Sequence, residues 1–438
     1  MHRVGALYAL LLASEMVAIA VLATQRELIL ADPSTTRIAW METWGGKYRD
    51  YSYDAAFAAG VLYVTGASAS FGEGVINLVL LKYSEAGDLL LNETLSLGGY
   101  TMGRGVASDG STVYVCGIHT AENVSSSLLL RYGLDGRLIW KREWRPDADA
   151  KSTGVALDRA GNIYVTGYVT ESTDVKRIFL LKYDAGGTLL FSSVEEAEGS
   201  ETAWGIAVSD AVYLCGEASN DTTSPGVRSS NMLLRKVGLD SRVIWSRETS
   251  VGYSNAANSV DASDDISVAG YALFANGTAK MLLRRYGGDG GLRGTLVLSE
   301  FYIEEMAWGV ARAGKYTYLV GHAQPNISVI GIGSVYKLGP DMHTILWRDH
   351  YGGGPVDRAR AAVVSGDDVY VVGESYWYGL DMQVSVKKYV SPNAALDPVV
   401  SEALTLSPLL IGLLLLAVAL YSASTIKRGR QPTGQARL

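Results

Sequence analysis

"NIYVTG" at residues 162–167 decides the fold, because the chain writes it repeatedly. Variants appear as "VLYVTG" ending at Gly66, "TVYVCG" at Gly117, "AVYLCG" at Gly216, "ISVAG" at Gly270, "TYLVG" at Gly321 and "DVYVVG" at Gly373. β-Branched and aromatic residues in a short run stopped by glycine read as a strand. The glycines recur about every fifty residues. A period of that size marks a propeller or an array, since one such repeat cannot bury its apolar face alone.

Around "NIYVTG" the third repeat holds three more strand-like pieces: "TGVAL" (153–157), "IFLLKY" (178–183) and "TLLF" (188–191). The intervening "DRAGN" and "DAGG" have the Asp/Gly chemistry of tight hairpin turns. The same scheme returns as "LLLRY", "GLDG" and "RLIW" over 128–140. Four antiparallel strands in each of seven repeats predict an all-β fold, a seven-bladed β-propeller. The last repeat stops at Tyr389 without a fourth strand. The missing piece stands at the other end as "RIAW" (37–40), which matches "RLIW" (137–140) and "RVIW" (242–245). An N-terminal strand completing the last blade closes the ring and removes open sheet edges.

Composition agrees with this reading. The chain has 438 residues, 48% of them hydrophobic, with 49 glycines and 26 tyrosines but only 10 prolines. The net charge of −7 comes from intermixed signs, without the basic stripe that nucleic-acid binding requires. No nucleic-acid partner is expected.

The two ends differ from the middle. An apolar run from Val4 to Thr24, broken only by Glu15, follows His2 and Arg3. It reads as a signal peptide over 1–23, with small residues Val21 and Ala23 before the cleavage point, or as an uncleaved signal anchor. Residues 403–426 carry no charge and are long enough to span a bilayer. Lys427, Arg428 and Arg430 follow at once, which places the tail (427–438) in the cytoplasm and everything before the span outside. Residues 391–402 form a tether. Asn-x-Ser/Thr sequons at Asn92, Asn123, Asn220, Asn276 and Asn326 suit export and glycosylation.

The repeat pattern, with Trp44-Gly45-Gly46, Gly98-Gly99 and Tyr351-Gly352-Gly353 preceding GVA, GNIYVTG, LLKY and GxLLW segments, resembles the SBBP family of β-propeller repeats. The resemblance covers about residues 35 to 390. It implies a surface propeller used for binding or scaffolding, and the family pattern fixes no catalytic residue. A C-terminal anchor, scarce cysteine and many sequons suit a prokaryotic, archaeal, envelope.

Strand direction assigns the faces. If each first strand runs from top to bottom, the second–third and fourth–first connections lie on top: 168–177, 217–231 and 141–152 are examples. Long loops on a rigid scaffold carry binding residues. The residue just before each innermost strand should then sit at the top mouth of the central channel. Aligned copies place Asp54, Arg104, Thr153, Trp204, Asn258, Trp308 and Arg360 there. A packing position would hold similar apolar residues; this one varies and includes Trp and Arg, types enriched at binding hot spots. The alternative is that these side chains plug the channel. The chain leaves the last blade at the bottom, so that face should turn to the membrane, and sequons Asn123, Asn220, Asn276 and Asn326 fall on the outward one.

Other chemistry is sparse. Cys116 and Cys215 occupy the same strand position two blades apart, too far for a disulfide, and read as free buried thiols. His119 and His322 sit in separate blades, and no paired His or Cys motif suggests a metal. Asp264-Asp265 and Asp367-Asp368 sit in hairpin turns, where Asp bonds locally. "GLDGRLIW" and "GLDSRVIW" are similar to the blade-docking segments of quinoprotein dehydrogenases, although the calcium-binding acids and vicinal cysteines of those enzymes have no counterpart. Trp140 and Trp245 then serve blade-to-blade packing.

The sequence thus predicts a cell-surface propeller, non-catalytic and without cofactor. It would bind or scaffold an extracellular glycan, peptide or envelope protein. A quinoprotein-like dehydrogenase and a purely structural envelope subunit are the alternatives.

Overall fold

In the computed structural model, residues 37–172, 175–219, 229–300, 303–324, 331–352, 356–376 and 381–390 are described. The expected signal segment, tether, membrane span and tail lie outside them. Among the described residues no helix is long and apolar enough to cross a membrane.

All regular structure is β, arranged as seven four-stranded antiparallel sheets that follow one another along the chain. Blades 1 to 6 occupy residues 50–95, 100–144, 149–194, 200–249, 254–298 and 304–351. Blade 7 takes three strands from 357–390 and its fourth, Arg37–Trp44, from the N-terminal side, with Arg37 opposite Val390. A single parallel bridge, Ala279 to Glu304, joins blades 5 and 6 into one sheet. Each first strand packs on the first strand of the next blade, and blade 7 packs on blade 1. The ring is closed, as a propeller.

Middle strands are sandwiched between neighbouring sheets, so both their faces are buried. Val212–Ser219 and Asn77–Ser84 are accordingly buried at nearly every position. Outer strands face water, and no residue of Leu89–Leu95 is fully buried. Each core cluster spans two blades. Leu62, Val64 and Leu81 of blade 1 pack with Val372, Val384 and Val386 of blade 7, which seals the ring.

The repeated Lys or Arg and Tyr form a latch between blades. Tyr164 and Lys182 are directly opposite on adjacent strands, with the ammonium 5.1 Å from the ring centre. Lys182 Nζ then donates to the Leu239 carbonyl in the next blade's third–fourth turn at 2.8 Å. Lys82 to Leu134, Arg131 to Ala185, Lys236 to Gly288, Arg285 to Pro340 and Lys388 to Glu85 repeat the bond. Trp40 and Trp245, on fourth strands, donate from Nε1 to the same turns. Trp140 lies against Gly187 of the next blade, where a Cβ would meet its ring at 3.0 Å. Fourth-strand tryptophans therefore dock blades.

Two expectations need correction. The long top connections are shorter than predicted, because the strands run on: Ile163–Ser172 and Val175–Tyr183 leave two residues between them, and Leu138–Trp144 and Asp149–Leu157 leave four. Backbone pairing continues past the last apolar residue because the ladder needs only main-chain groups. For the same reason the repeat glycines do not end their strands. Gly66 lies within Val61–Ser68 and Gly167 within Ile163–Ser172.

Those glycines have a different cause. In every blade the ladder between first and second strands skips one residue of the first, a β-bulge. The bulge swings the preceding carbonyl over the second strand. A Cβ on Gly66, Gly117, Gly167, Gly216, Gly270, Gly321 or Gly373 would lie 1.8–2.0 Å from that oxygen. Only glycine leaves the space. Gly167→Ala should therefore cost about 1–3 kcal/mol or more through overpacking, seen as a lower melting temperature by circular dichroism. Gly288→Ala, in an exposed turn with nothing near the added carbon, should melt like the parent.

Candidate functional site

The seven residues skipped by the ladder are Tyr53, Arg104, Thr153, Trp204, Asn258, Trp308 and Arg360. A bulged residue has no cross-strand partner and is re-aimed by the local kink. All seven line one cavity of about 200 Å³ on the channel axis. They sit within the first strands, not ahead of them as the sequence suggested, because those strands begin three or four residues earlier. Asp54 also lines the cavity but is one position past the bulge. Its counterparts are Gly105, Gly154, Gly205, Ser259, Gly309 and Ala361. Neighbouring first strands approach closely here, so a Cβ on Gly154 would meet Ile206 at 2.8 Å. Asp54 and Ser259 use their extra atoms to accept hydrogen bonds from the next blade, from the amides of Val106 (2.9 Å) and Val310 (3.2 Å).

A second variable ring follows the repeat glycines: Ala67, Ile118, Tyr168, Glu217, Tyr271, His322 and Glu374. Several of these meet bulge residues. On blades 6 and 7 the meeting is a closed polar network. Trp308 Nε1 donates to His322 Nδ1 at 2.8 Å, which leaves the ring proton on Nε2, facing Glu304 Oε1 at 2.9 Å. Arg360 Nε lies 3.0 Å from both carboxylate oxygens of Glu374, and its guanidinium stacks 4.7 Å from the Trp308 ring centre. Glu374 is fully buried. Burial pushes its pKa up, and Arg360 and Arg358 oppose the rise. Burial, with the charges of Arg358 and Arg360, holds His322 below the usual histidine range against the pull of Glu304.

Blades 1 to 5 are organised differently. Thr153 Oγ1 donates to the Ala203 carbonyl at 2.9 Å, and Asn258 Nδ2 to the Ala307 carbonyl at 2.8 Å, so both tie neighbouring blades. Trp204 packs edge-on to Tyr168 at 5.8 Å, and Lys176 Nζ lies 4.7 Å from the Tyr168 ring centre. Arg104 stacks 4.2 Å from the Tyr53 ring centre. A second cavity of about 280 Å³ opens beside these groups toward the second–third connections. It shares Arg104, Thr153 and Trp204 with the first and adds Lys151, Tyr168 and Thr120.

Tyr53, Tyr168, Lys151 and Glu374 escaped the sequence reading. Tyr168 and Glu374 directly follow Gly167 and Gly373, so variation just after a repeated glycine was the available signal.

The remaining predicted positions lie away from the channel axis. Asn92 is exposed on the fourth strand of blade 1, and Asn123 and Asn276 are exposed in second–third turns. Asn220 and Asn326 lie outside the described residues. Cys116 and Cys215 are buried free thiols in second strands. His119 contacts Glu143 and the Gly98 carbonyl. Asp265 and Asp264 pair with Arg293 and Arg312, and Asp368 pairs with Lys388. No group of three or more potential metal ligands occurs among the described residues.

Two predictions follow from the cavity's charges. Arg360→Ala strands a buried carboxylate and should cost about 3–5 kcal/mol, whereas Arg104→Ala gives up one cation–π contact and should cost at most about 1 kcal/mol; urea titration separates them. Burial pushes Asp54 up to about 7, against hydrogen bonds from Val106 and Ala55. The folded state thus holds a proton that the unfolded state releases near pH 4, and stability is lost as pH rises from there through about 7. Asp54→Asn should match the parent near pH 4 and melt higher than it at pH 8.

Residues 143–169 match the beta-propeller repeat family SBBP. No curated protein matches the chain in sequence. Among solved structures, Kuenenia stuttgartiensis hydrazine synthase is similar, with a TM-score of 0.50 and 14% identity over 76% of this chain and 94% of that one. The β-propeller domain of the trilobed protease from Pyrococcus furiosus has a TM-score of 0.46 and 10% identity over 80% and 100%. At such identities the likeness concerns the fold alone.

Proposed function

We propose that the protein is a non-catalytic binding protein of the cell surface, which presents its propeller channel to an extracellular glycan, peptide or envelope-protein partner. The observation that carries this reading is the ring of bulged residues. The fold repeats seven times, yet the side chains that the bulges aim at the cavity differ from blade to blade. Tyr, Trp and Arg are prominent among them, the types that dominate recognition surfaces. A ring that served packing alone would have no reason to abandon the repeat.

Placement outside a membrane draws on the apolar segments at 4–24 and 403–426 and on the sequons. Chain entry at Arg37 and exit at Val390 lie opposite each other at the hairpin-turn end of blade 7. In this reading that face turns to the membrane and the second–third connections face out. The exposed Asn123 and Asn276 stand on the outward face, where glycans would ring the opening.

The test is to probe the full-length chain, and its Arg104→Ala and Trp204→Ala variants, against glycan and peptide arrays. The expected result is a ligand whose affinity falls at least about tenfold in either variant, with melting temperatures little changed. Binding that survives both substitutions would move the site off the channel.

A further inference from the structure

The charges around the channel are unevenly settled. On blades 6 and 7 the one cation that lines the first cavity, Arg360, is held by Glu374, and behind it His322 is locked between Trp308 and Glu304. On the opposite side, Arg104 and Lys151 line the second cavity with no hydrogen-bond or ion-pair partner among the described residues. No acidic side chain lines that cavity. Glu217, beside Trp204, is pushed toward the neutral form by burial and interacts with Lys176, and Glu374, whose charge reaches Arg104, is already hydrogen-bonded by Arg360. A partly buried guanidinium beside an unpaired ammonium is electrostatically incomplete, and an anion completes it.

We infer that this cavity between blades 2, 3 and 4 is a subsite for the carboxylate of an acidic sugar, a uronate unit of a glycan. This rests on the channel-binding reading above and names the ligand class. The guanidinium of Arg104 and the ammonium of Lys151 take the carboxylate. Trp204 and Tyr168, set edge to face, offer an apolar surface to the carbon face of a pyranose ring. The hydroxyls of Thr120 and Thr153 lie along the same wall for ring hydroxyls. An acidic peptide fits less well. Peptides bound in extended form lie along a free strand edge, and the first strands, which are the inner edges of their sheets, are each flanked by the first strands of both neighbouring blades, which crowds any chain laid along one of them. The cavity, at about 280 Å³, holds one sugar unit with the rest of a chain leading outward.

Calorimetric titration of the full-length chain with tetragalacturonate, with a neutral galactose tetramer and with a tetraglutamate peptide tests this. The expected result is that tetragalacturonate binds, the neutral tetramer binds at least tenfold more weakly and tetraglutamate does not bind. Arg104→Ala and Lys151→Ala should each weaken the uronate by about tenfold or more, as loss of a charge-assisted hydrogen bond does. Lys151→Arg should retain binding. Affinity should fall as salt rises. Equal binding of acidic and neutral tetramers, lost in Trp204→Ala, would overturn the anionic subsite and leave channel binding standing. Preference for tetraglutamate would replace the sugar with a peptide. Failure of all three probes, with an array ligand indifferent to every channel variant, would overturn both readings.

Discussion

The structure depends on one steric fact: a carbonyl oxygen and a Cβ cannot share a place. Each first strand carries a bulge whose leading carbonyl occupies the space where the second strand's side chain would begin. Glycine at that point lets the bulge exist. The bulge in turn releases one residue from the ladder and points it at the axis. The repeat that defines the fold and the variation that equips the channel are therefore two consequences of one contact, made seven times.

The rest of the repeat holds neighbouring blades in register around that contact. Tyrosine on the second strand, lysine or arginine on the third and often tryptophan on the fourth form a row across the blade. The cation at its centre reaches the next blade's turn. The aliphatic stem packs on the sheet while the charged head takes a backbone carbonyl. Blade 7 follows the same rule toward blade 1, through Lys388 and Trp40 to Glu85. The N-terminal strand is thus docked by the same chemistry that docks every other blade, and the large buried core needs no covalent clasp.

Legibility followed the same division. Strand number, turn chemistry and closure by "RIAW" were readable because apolar periodicity and hairpin residues report local geometry. The bulge was not, since an extra residue in a ladder shows only when both strands are seen. Six of seven channel positions still emerged, because Gly, Ser or Ala behind Arg104, Thr153, Trp204, Asn258, Trp308 and Arg360 marked the register. In "SYDAAF" an aspartate stands in that small-residue place, so the reading slid from Tyr53 to Asp54. Partnerships were invisible for a different reason. Arg104 and Arg360 look alike in sequence, and only the fold brings Glu374 into hydrogen-bond contact with one and sets the other on the Tyr53 ring with no ion-pair partner among the described residues.

That difference between two arginines gives the account its functional content: half the channel is electrostatically closed and half is waiting for charge. The most direct measurement is a crystal structure of the full-length chain purified from its native membrane without exposure to competing anions. Organic electron density is expected in the channel, with an acidic group against Arg104 and Lys151 and a ring against Trp204. Ordered water alone in the cavity, with a partner or ligand bound elsewhere on the same molecule, would contradict it.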